Sequence, residues 1–304
     1  MGNVYLERFI LPDEDTEEAL IKLKMAENGG ELGYISNTYP ARFFTQKGLS
    51  ELNFDCVTIL YGGNGSGKST LLNLIAARLE LDRLAPYNGA ELFQMYSQSC
   101  GYQPGIGDDG SELEIPEGSR IITSDDVFDY MLAVRANNQE IAETTEKAKA
   151  NYMEIKFGDT VKFSGMEDYE AHRAQILTRR KTVSRRKFLR QTVGEEAKLH
   201  SNGETALGYF DSHLKADTLY CLDEPENSLS PKLQLELKDI LEDIARCGSQ
   251  LIIATHSPFI LAMRGARIYD LDQRPVQMRR WTELPNVRAY HAFFKAHAEE
   301  LDRD

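Results

Sequence analysis

The most specific chemical signal in the chain is the stretch Gly62-Gly63-Asn64-Gly65-Ser66-Gly67-Lys68-Ser69-Thr70. It satisfies G-x-x-x-x-G-K-[ST] at every fixed position, the pattern of a loop that cradles phosphates. Glycines allow the backbone to turn so that successive N–H groups face one point, and a helix starting there adds its partial positive charge. Lys68 is the residue that reaches the β- and γ-phosphates, and Ser69 offers its hydroxyl to Mg²⁺. Thr70 contacts the α-phosphate side or caps the helix.

Two further groups complete the chemistry. The apolar run Thr218-Leu219-Tyr220-Cys221-Leu222 leads straight into Asp223-Glu224-Pro225-Glu226. Asp223 suits a Mg²⁺ ligand, direct or through water, and Glu224 suits a general base that polarises an attacking water. Alone, this could be an ordinary strand end; a phosphate loop upstream favours the catalytic reading. The run Gln250-Leu251-Ile252-Ile253-Ala254 then delivers Thr255-His256, and His256 is placed to hydrogen-bond a γ-phosphate or the attacking water.

These residues need a particular scaffold. Cys56-Val57-Thr58-Ile59-Leu60 reads as the strand before the loop, and Leu71 to Ala77 as the helix after it. Ser230 is placed to cap a helix with Pro231 in its first turn. That helix buries Leu233, Leu237, Ile240, Leu241 and Ile244 and stops at Gly248. A last strand runs from Ala266 to Leu271. Strands alternating with crossover helices predict an α/β fold, with a largely parallel sheet and its ligand site at the strand C-termini.

Elsewhere the pattern is less specific. Residues 3–11 alternate in part, as a strand near a sheet edge does, and an acidic helix spans Glu17 to Glu27. A second strand is expected from Tyr34 to Tyr39. Tyr39, Phe43 and Phe44 are either base-stacking aromatics or core, with core favoured. The Gly and Pro density over residues 85–119 predicts loop or short strands. From Asp125 to Lys198 the composition turns helical, and Val287 to Leu301 forms a partly helical tail. Within the helical stretch, Arg173–Arg190 holds eight basic residues (Arg173, Arg179, Arg180, Lys181, Arg185, Arg186, Lys187 and Arg190) and no acidic one, in a chain of net charge −13. That segment either contacts nucleic acid or another polyanion, or pairs with Glu140, Glu143, Glu146, Glu167, Asp168 and Glu170.

The overall balance fits a globular protein: 304 residues with 41% hydrophobic can build a sizeable core. The acidic charge argues against a surface that attracts nucleic acid everywhere. No apolar run reaches membrane-spanning length and Met1 to Glu7 lacks a signal-peptide pattern, so a cytoplasmic protein without membrane insertion is expected. Cys56, Cys100, Cys221 and Cys247 show no C-x-x-C spacing and read as reduced, buried thiols.

Taken together, the motifs resemble those of an ABC-type ATPase. Gly62–Thr70 corresponds to Walker A and Tyr220–Glu226 to Walker B. Ile253-Ala254-Thr255-His256-Ser257-Pro258 corresponds to the histidine switch, and His200-Ser201-Asn202-Gly203-Glu204-Thr205 to the signature motif. More narrowly the chain resembles the small stand-alone ATPases of the RecF, SMC and OLD group, a set of AAA family ATPases. The likeness covers residues 55–75 and 198–272 well. It implies an ABC-ATPase-like P-loop fold with flanking helices and a helical insertion, divided as 1–124 with Walker A, 125–200 as the insertion, 201–275 with the other motifs, and 276–304 as the tail.

The same resemblance implies ATP and Mg²⁺ as ligands and a homodimer formed on ATP binding. Ser201, Gly203 and Glu204, at the start of a helix from Glu204 to Lys215, would meet the γ-phosphate bound to the other subunit. Asn227-Ser228-Leu229-Ser230 falls where a D-loop touches the partner. The Q-loop departs most from the family: after Ile121-Ile122-Thr123, Asp125 stands in the glutamine's place near Mg²⁺. Gln94, Gln98 and Gln103 lack the preceding strand. The function implied is an ATP-hydrolysing switch that relays its state to a separate effector protein or to DNA, as in DNA maintenance or phage defence, with no nuclease pattern of its own. The alternative is the ATP-binding subunit of a membrane transporter, which Ser-Asn-Gly-Glu in place of Ser-Gly-Gly-Gln disfavours. A nucleotide-independent scaffold is disfavoured by the intact Lys68, Asp223, Glu224 and His256.

Overall fold

The computed structural model describes residues 3–27, 38–86, 91–157 and 202–302. The chain divides into two compact units, one formed by residues 1–128 and 206–304 and the other by residues 129–205.

In chain order the described elements are β1 (Leu6–Ile10), α1 (Glu14–Glu27), β2 (Glu51–Asn53), β3 (Val57–Tyr61), α2 (Lys68–Arg78), α3 (Glu91–Ser99), β4 (Gly101–Pro104), β5 (Arg120–Thr123) and α4 (Ser124–Phe157). They continue with α5 (Asn202–His213), β6 (Leu219–Asp223), α6 (Pro231–Arg246), β7 (Gln250–Ala254), α7 (Pro258–Leu261), β8 (Arg267–Asp270), β9 (Gln277–Met278), α8 (Pro285–Ala296) and α9 (Ala298–Leu301). The larger sheet has the strand order β5-β6-β7-β3-β8-β9, parallel throughout except for the antiparallel edge strand β9. This is the mixed α/β fold with a largely parallel sheet that the sequence predicts.

Burial explains which strands are central. Every residue of β3 and β7 is buried, so both read as unbroken apolar runs, as strands covered on both faces do. Helix α2 packs on β5, β6 and β7, and α6 packs on β7. Of the apolar stripe predicted on α6, Leu237 and Leu241 are fully buried and Leu233, Ile240 and Ile244 are half-buried.

Several expectations need correction. β1 is the middle strand of a separate antiparallel sheet, β2-β1-β4, not an edge, because β2 and β4 cover both its sides. The Gly- and Pro-rich stretch 85–119 contains the helix α3 as well as short strands. Its eleven residues from 90 to 100 are free of breakers, and Leu92, Phe93 and Tyr96 form its buried face. Ser230 occupies the N-cap of α6, but its hydroxyl makes no capping bond. None of the four cysteines forms a disulfide, yet Cys56 is half-buried and Cys247 exposed. Most of the strand expected over Tyr34–Tyr39 and the whole basic segment Arg173–Arg190 lie outside the described residues.

The two sheets are joined by a buried side chain. Gln250 accepts from the Leu6 N–H at 2.9 Å and donates to the Leu6 carbonyl at 2.8 Å, copying the paired bonds of a neighbouring strand. Leu6 and Gln250 are both fully buried. Gln250→Leu strands one donor and one acceptor away from water, so unfolding in urea is expected at a stability lower by about 2–4 kcal/mol.

Candidate functional site

The site is set by the strand ends. Asp223 pairs with Ala254, and Ala254 with Leu60, so β6, β7 and β3 finish level with one another. Beyond that line the Glu224 N–H donates to the Ala254 carbonyl at 2.8 Å and the Thr255 N–H to the Leu60 carbonyl at 3.3 Å. The chemistry-bearing residues therefore leave three adjacent strands at the same height.

The loop after β3 turns into α2 through Gly67, its N-cap, at φ 99°. A Cβ at Gly67 would lie 2.6 Å from the Phe43 ring and 3.0 Å from Phe44, so glycine is required by both backbone and packing. Lys68 is buried at 4% exposure, and its Nζ donates to the Gly62 carbonyl at 2.8 Å. The same Nζ lies 2.8 Å from His256 Nε2 and 3.7 Å from Glu224 Oε1, while Nε2 and Oε1 are 3.3 Å apart. An ammonium has only protons to offer, so Nε2 accepts and the ring proton sits on Nδ1.

Glu224 holds its place by an unusual backbone, with a left-handed φ of 48°, a conformation that costs energy in a side-chain-bearing residue and recurs at functional sites. Its second oxygen accepts from Asn227 Nδ2 at 3.1 Å. Next to it, Asp223 Oδ1 accepts from the Ser69 hydroxyl at 3.0 Å. Burial pushes the Asp223 carboxyl up to about 6, with Glu224 adding to the rise and the Ser69 bond and Lys68 opposing it.

These groups fit a magnesium nucleotide. A hydroxyl and a carboxylate side by side are the hard oxygen donors that Mg²⁺ takes. Among the described residues no cluster of three or more His, Cys, Asp or Glu would cage a metal, so such an ion would complete its shell with phosphate and water. Ser66 Oγ, buried in the loop, has no hydrogen-bond partner.

The remaining predicted residues are less gathered. Asp125 is exposed in the first turn of α4 and its side chain makes no bond among the described residues, whereas its neighbour Asp126 is buried and accepts from the Ala85 N–H at 2.7 Å and the Thr123 N–H at 2.7 Å. Gln94 and Gln98 lie on α3, and Gln103 lies on β4 in the other sheet. Gly203 and Glu204 are in the first turn of α5, in the unit formed by residues 129–205, and Ser201 lies outside the described residues. The three aromatics separate: Phe44 is core, Phe43 is half-buried, and Tyr39 is exposed, with its hydroxyl bonded to Thr70 Oγ1.

Four supporting residues went unread. Lys47 is buried and donates to the Ser66 carbonyl at 2.8 Å and the Leu271 carbonyl at 2.7 Å, with burial the main cause of its lowered pKa. Asp272 accepts from the Gly63 N–H through both oxygens, at 3.0 and 2.8 Å. Glu226 and Asn286 hold the segment around His256. In sequence each stands among ordinary polar neighbours; only the short Asp-Glu-Pro-Glu string hinted at Glu226.

A family described as "AAA domain, putative AbiEii toxin, Type IV TA system" matches residues 190–262, the portion carrying the Asp223-Glu224 and His256 motifs. No curated protein matches the sequence. Among solved structures, the chain is similar to a nucleotide-free ATP-binding cassette from an ABC transporter, at 15% identity and a TM-score of 0.36, covering 80% of this chain and 87% of that one. It is also similar to a dimeric post-hydrolysis ATP-binding cassette bound to ADP and phosphate, at 13% identity and a TM-score of 0.33, covering 77% and 90%. A metal-chelate type ABC transporter in an inward-facing conformation gives 18% identity and a TM-score of 0.35, covering 81% and 80%.

The tight packing at Gly67 gives a direct test of the loop. Gly67→Ala forces both a strained φ and a clash with Phe43, and is expected to lower stability by about 1–3 kcal/mol in chemical denaturation.

Proposed function

We propose that this chain is an ATP-hydrolysing switch of the ABC type. The observation that carries the reading is the convergence of Lys68, Glu224 and His256 within 3.7 Å of one another beside the Ser69–Asp223 pair. The amides of Gly63 to Ser69 and the start of α2 receive the phosphates, and Lys68 exchanges its bonds to Gly62 and His256 for phosphate oxygens. Ser69 and Asp223 would hold Mg²⁺, which when bound would supply charge neutralisation to the phosphates. Glu224 orients the attacking water and accepts its proton, and His256 donates to the γ-phosphate once Lys68 has turned to the phosphates and the ring proton has passed from Nδ1 to Nε2. Tyr39, exposed beside Thr70, is the aromatic available to the adenine ring.

In this reading a second copy completes the site, with Ser201, Gly203 and Glu204 facing the nucleotide of the other subunit and Asn227-Ser228 at the contact between them. ATP therefore favours the dimer and hydrolysis releases it. A separate effector receives the signal, and Arg173–Arg190 offers a polyanion contact. The family matching residues 190–262 is described by a toxin of a Type IV TA system, and the defence-type role is carried over from the resemblance of the motifs. Asp125, exposed in the first turn of α4, lends the metal site no support. No helix among the described residues is long and apolar enough to cross a membrane. The transporter-subunit reading shares the phosphate chemistry but is less favoured, since the signature stretch Ser-Asn-Gly-Glu departs from Ser-Gly-Gly-Gln.

Glu224→Gln keeps the shape of the base and removes its ability to take a proton. Phosphate release is expected to fall by about 10²-fold or more while ATP binding and ATP-dependent dimerisation persist, as read by sizing chromatography with light scattering. Loss of binding together with turnover would mean that Glu224 is structural.

The raised Asp223 carboxyl sets a pH limit. Below about 6 it takes up a proton and ceases to attract a cation, so Mg²⁺-dependent nucleotide affinity is expected to weaken by about tenfold per pH unit below that point. Calorimetric titration of Mg-ATP into the Glu224→Gln variant measures this, and adding Asp223→Asn should flatten the profile.

A further inference from the structure

His256 stands in a segment with little regular structure of its own, between the end of β7 at Ala254 and the start of α7 at Pro258. One carboxylate oxygen gathers it. Glu226 Oε1 accepts from the Thr255 hydroxyl at 2.6 Å, the His256 N–H at 2.7 Å and the Ser257 N–H at 3.0 Å. Glu226 is only 8% exposed, and its other oxygen is buried without a partner, so the carboxylate is turned wholly toward these three donors.

The opposite side of the same peptide is held from the C-terminal helix. Asn286, at the start of α8, donates from Nδ2 to the His256 carbonyl at 3.1 Å. Its Oδ1 accepts from the Val287 N–H at 2.7 Å, and its own N–H reaches the Tyr61 hydroxyl at 3.4 Å. The His256 residue is thus gripped at its amide by Glu226 and at its carbonyl by Asn286.

We infer that Glu226 and Asn286 form a backbone clamp that fixes the His256 imidazole against Lys68 and Glu224, both acting as positioning residues for the hydrolysis proposed above; the inference rests on that reading. The placement gives the clamp its meaning. Glu226 lies two residues after the proposed base, in the turn where Glu224 has its left-handed backbone, so displacement of that turn moves base and histidine together. Asn286 ties the same histidine to α8, whose Tyr290, Phe293 and Phe294 are exposed. A misplacement of about 1 Å in a reacting group is enough to cost a large factor in rate.

The test uses the full chain and three variants. Asn286→Asp keeps an oxygen for the Val287 N–H but removes the donor to His256. Glu226→Met removes the threefold acceptor, and Glu226→Gln retains one oxygen for the same three donors. In steady-state ATP hydrolysis, Asn286→Asp and Glu226→Met are expected to lower kcat by about tenfold or more with KM within about twofold, and Glu226→Gln to stay near wild type. In nucleotide-free protein labelled with ¹⁵N-histidine and assigned through His256→Gln, the His256 ring resonances should move in the first two variants and not in the third. Should Glu226→Met fail to fold, Asn286→Asp carries the test alone. Unmoved His256 resonances in Asn286→Asp overturn the clamp, as does a raised KM with unchanged kcat. Moved resonances in a protein whose wild type releases no phosphate would sustain the clamp and overturn the ATPase reading instead.

Discussion

The parallel hydrogen-bond ladder linking β6, β7 and β3 is the constraint on which the rest of the structure depends. β7 is apolar on both faces, so side-chain alternation alone would not set its register; the ladders to β3 and β6 and the Gln250 amide bonded to Leu6 hold it in place. Pinned register in turn fixes where each chain leaves the sheet. The phosphate loop, the two carboxylates and the histidine are far apart in sequence, yet they meet because three buried strands end level.

Two buried charged groups in this framework are each held by several backbone or hydroxyl partners. Glu17, 1% exposed, accepts from the Arg42 N–H, the Thr45 hydroxyl and the Tyr96 hydroxyl. Lys47 spans two carbonyls, one in the phosphate loop and one after β8. A buried charge is tolerated only when its bonding capacity is largely met, and meeting it fixes the segments that supply the partners. The loop from Gly62 to Ser69 is consequently braced from outside by Lys47 and Asp272 before any phosphate arrives.

The legible part of the sequence was the part whose chemistry is local. Gly62–Thr70 shows itself because neighbouring residues act together, and β3, β6 and β7 because full burial writes continuous apolar runs. The α3 helix was obscured by glycines and prolines that bracket it rather than interrupt it. β1 looked like an edge strand because the short β2 and β4 that flank it carry little pattern. Glu226, Lys47, Asp272 and Asn286 were not legible as supports: a lone polar residue acquires such a role only when the fold brings a distant backbone group to it. Asp125 illustrates the converse, since position after a strand suggested a role that the solvent-facing turn does not support, while Asp126 takes the buried bonds.

The contacts of Lys68 have a kinetic meaning. Its ammonium already holds a carbonyl and an imidazole, with a carboxylate close by. Under the proposed reading, a phosphate arriving there would make an exchange, and its affinity would be the difference between two sets of bonds. In the proposed cycle, release of products would return the ammonium to its first partners, so the protein itself would supply part of the driving force that empties the site.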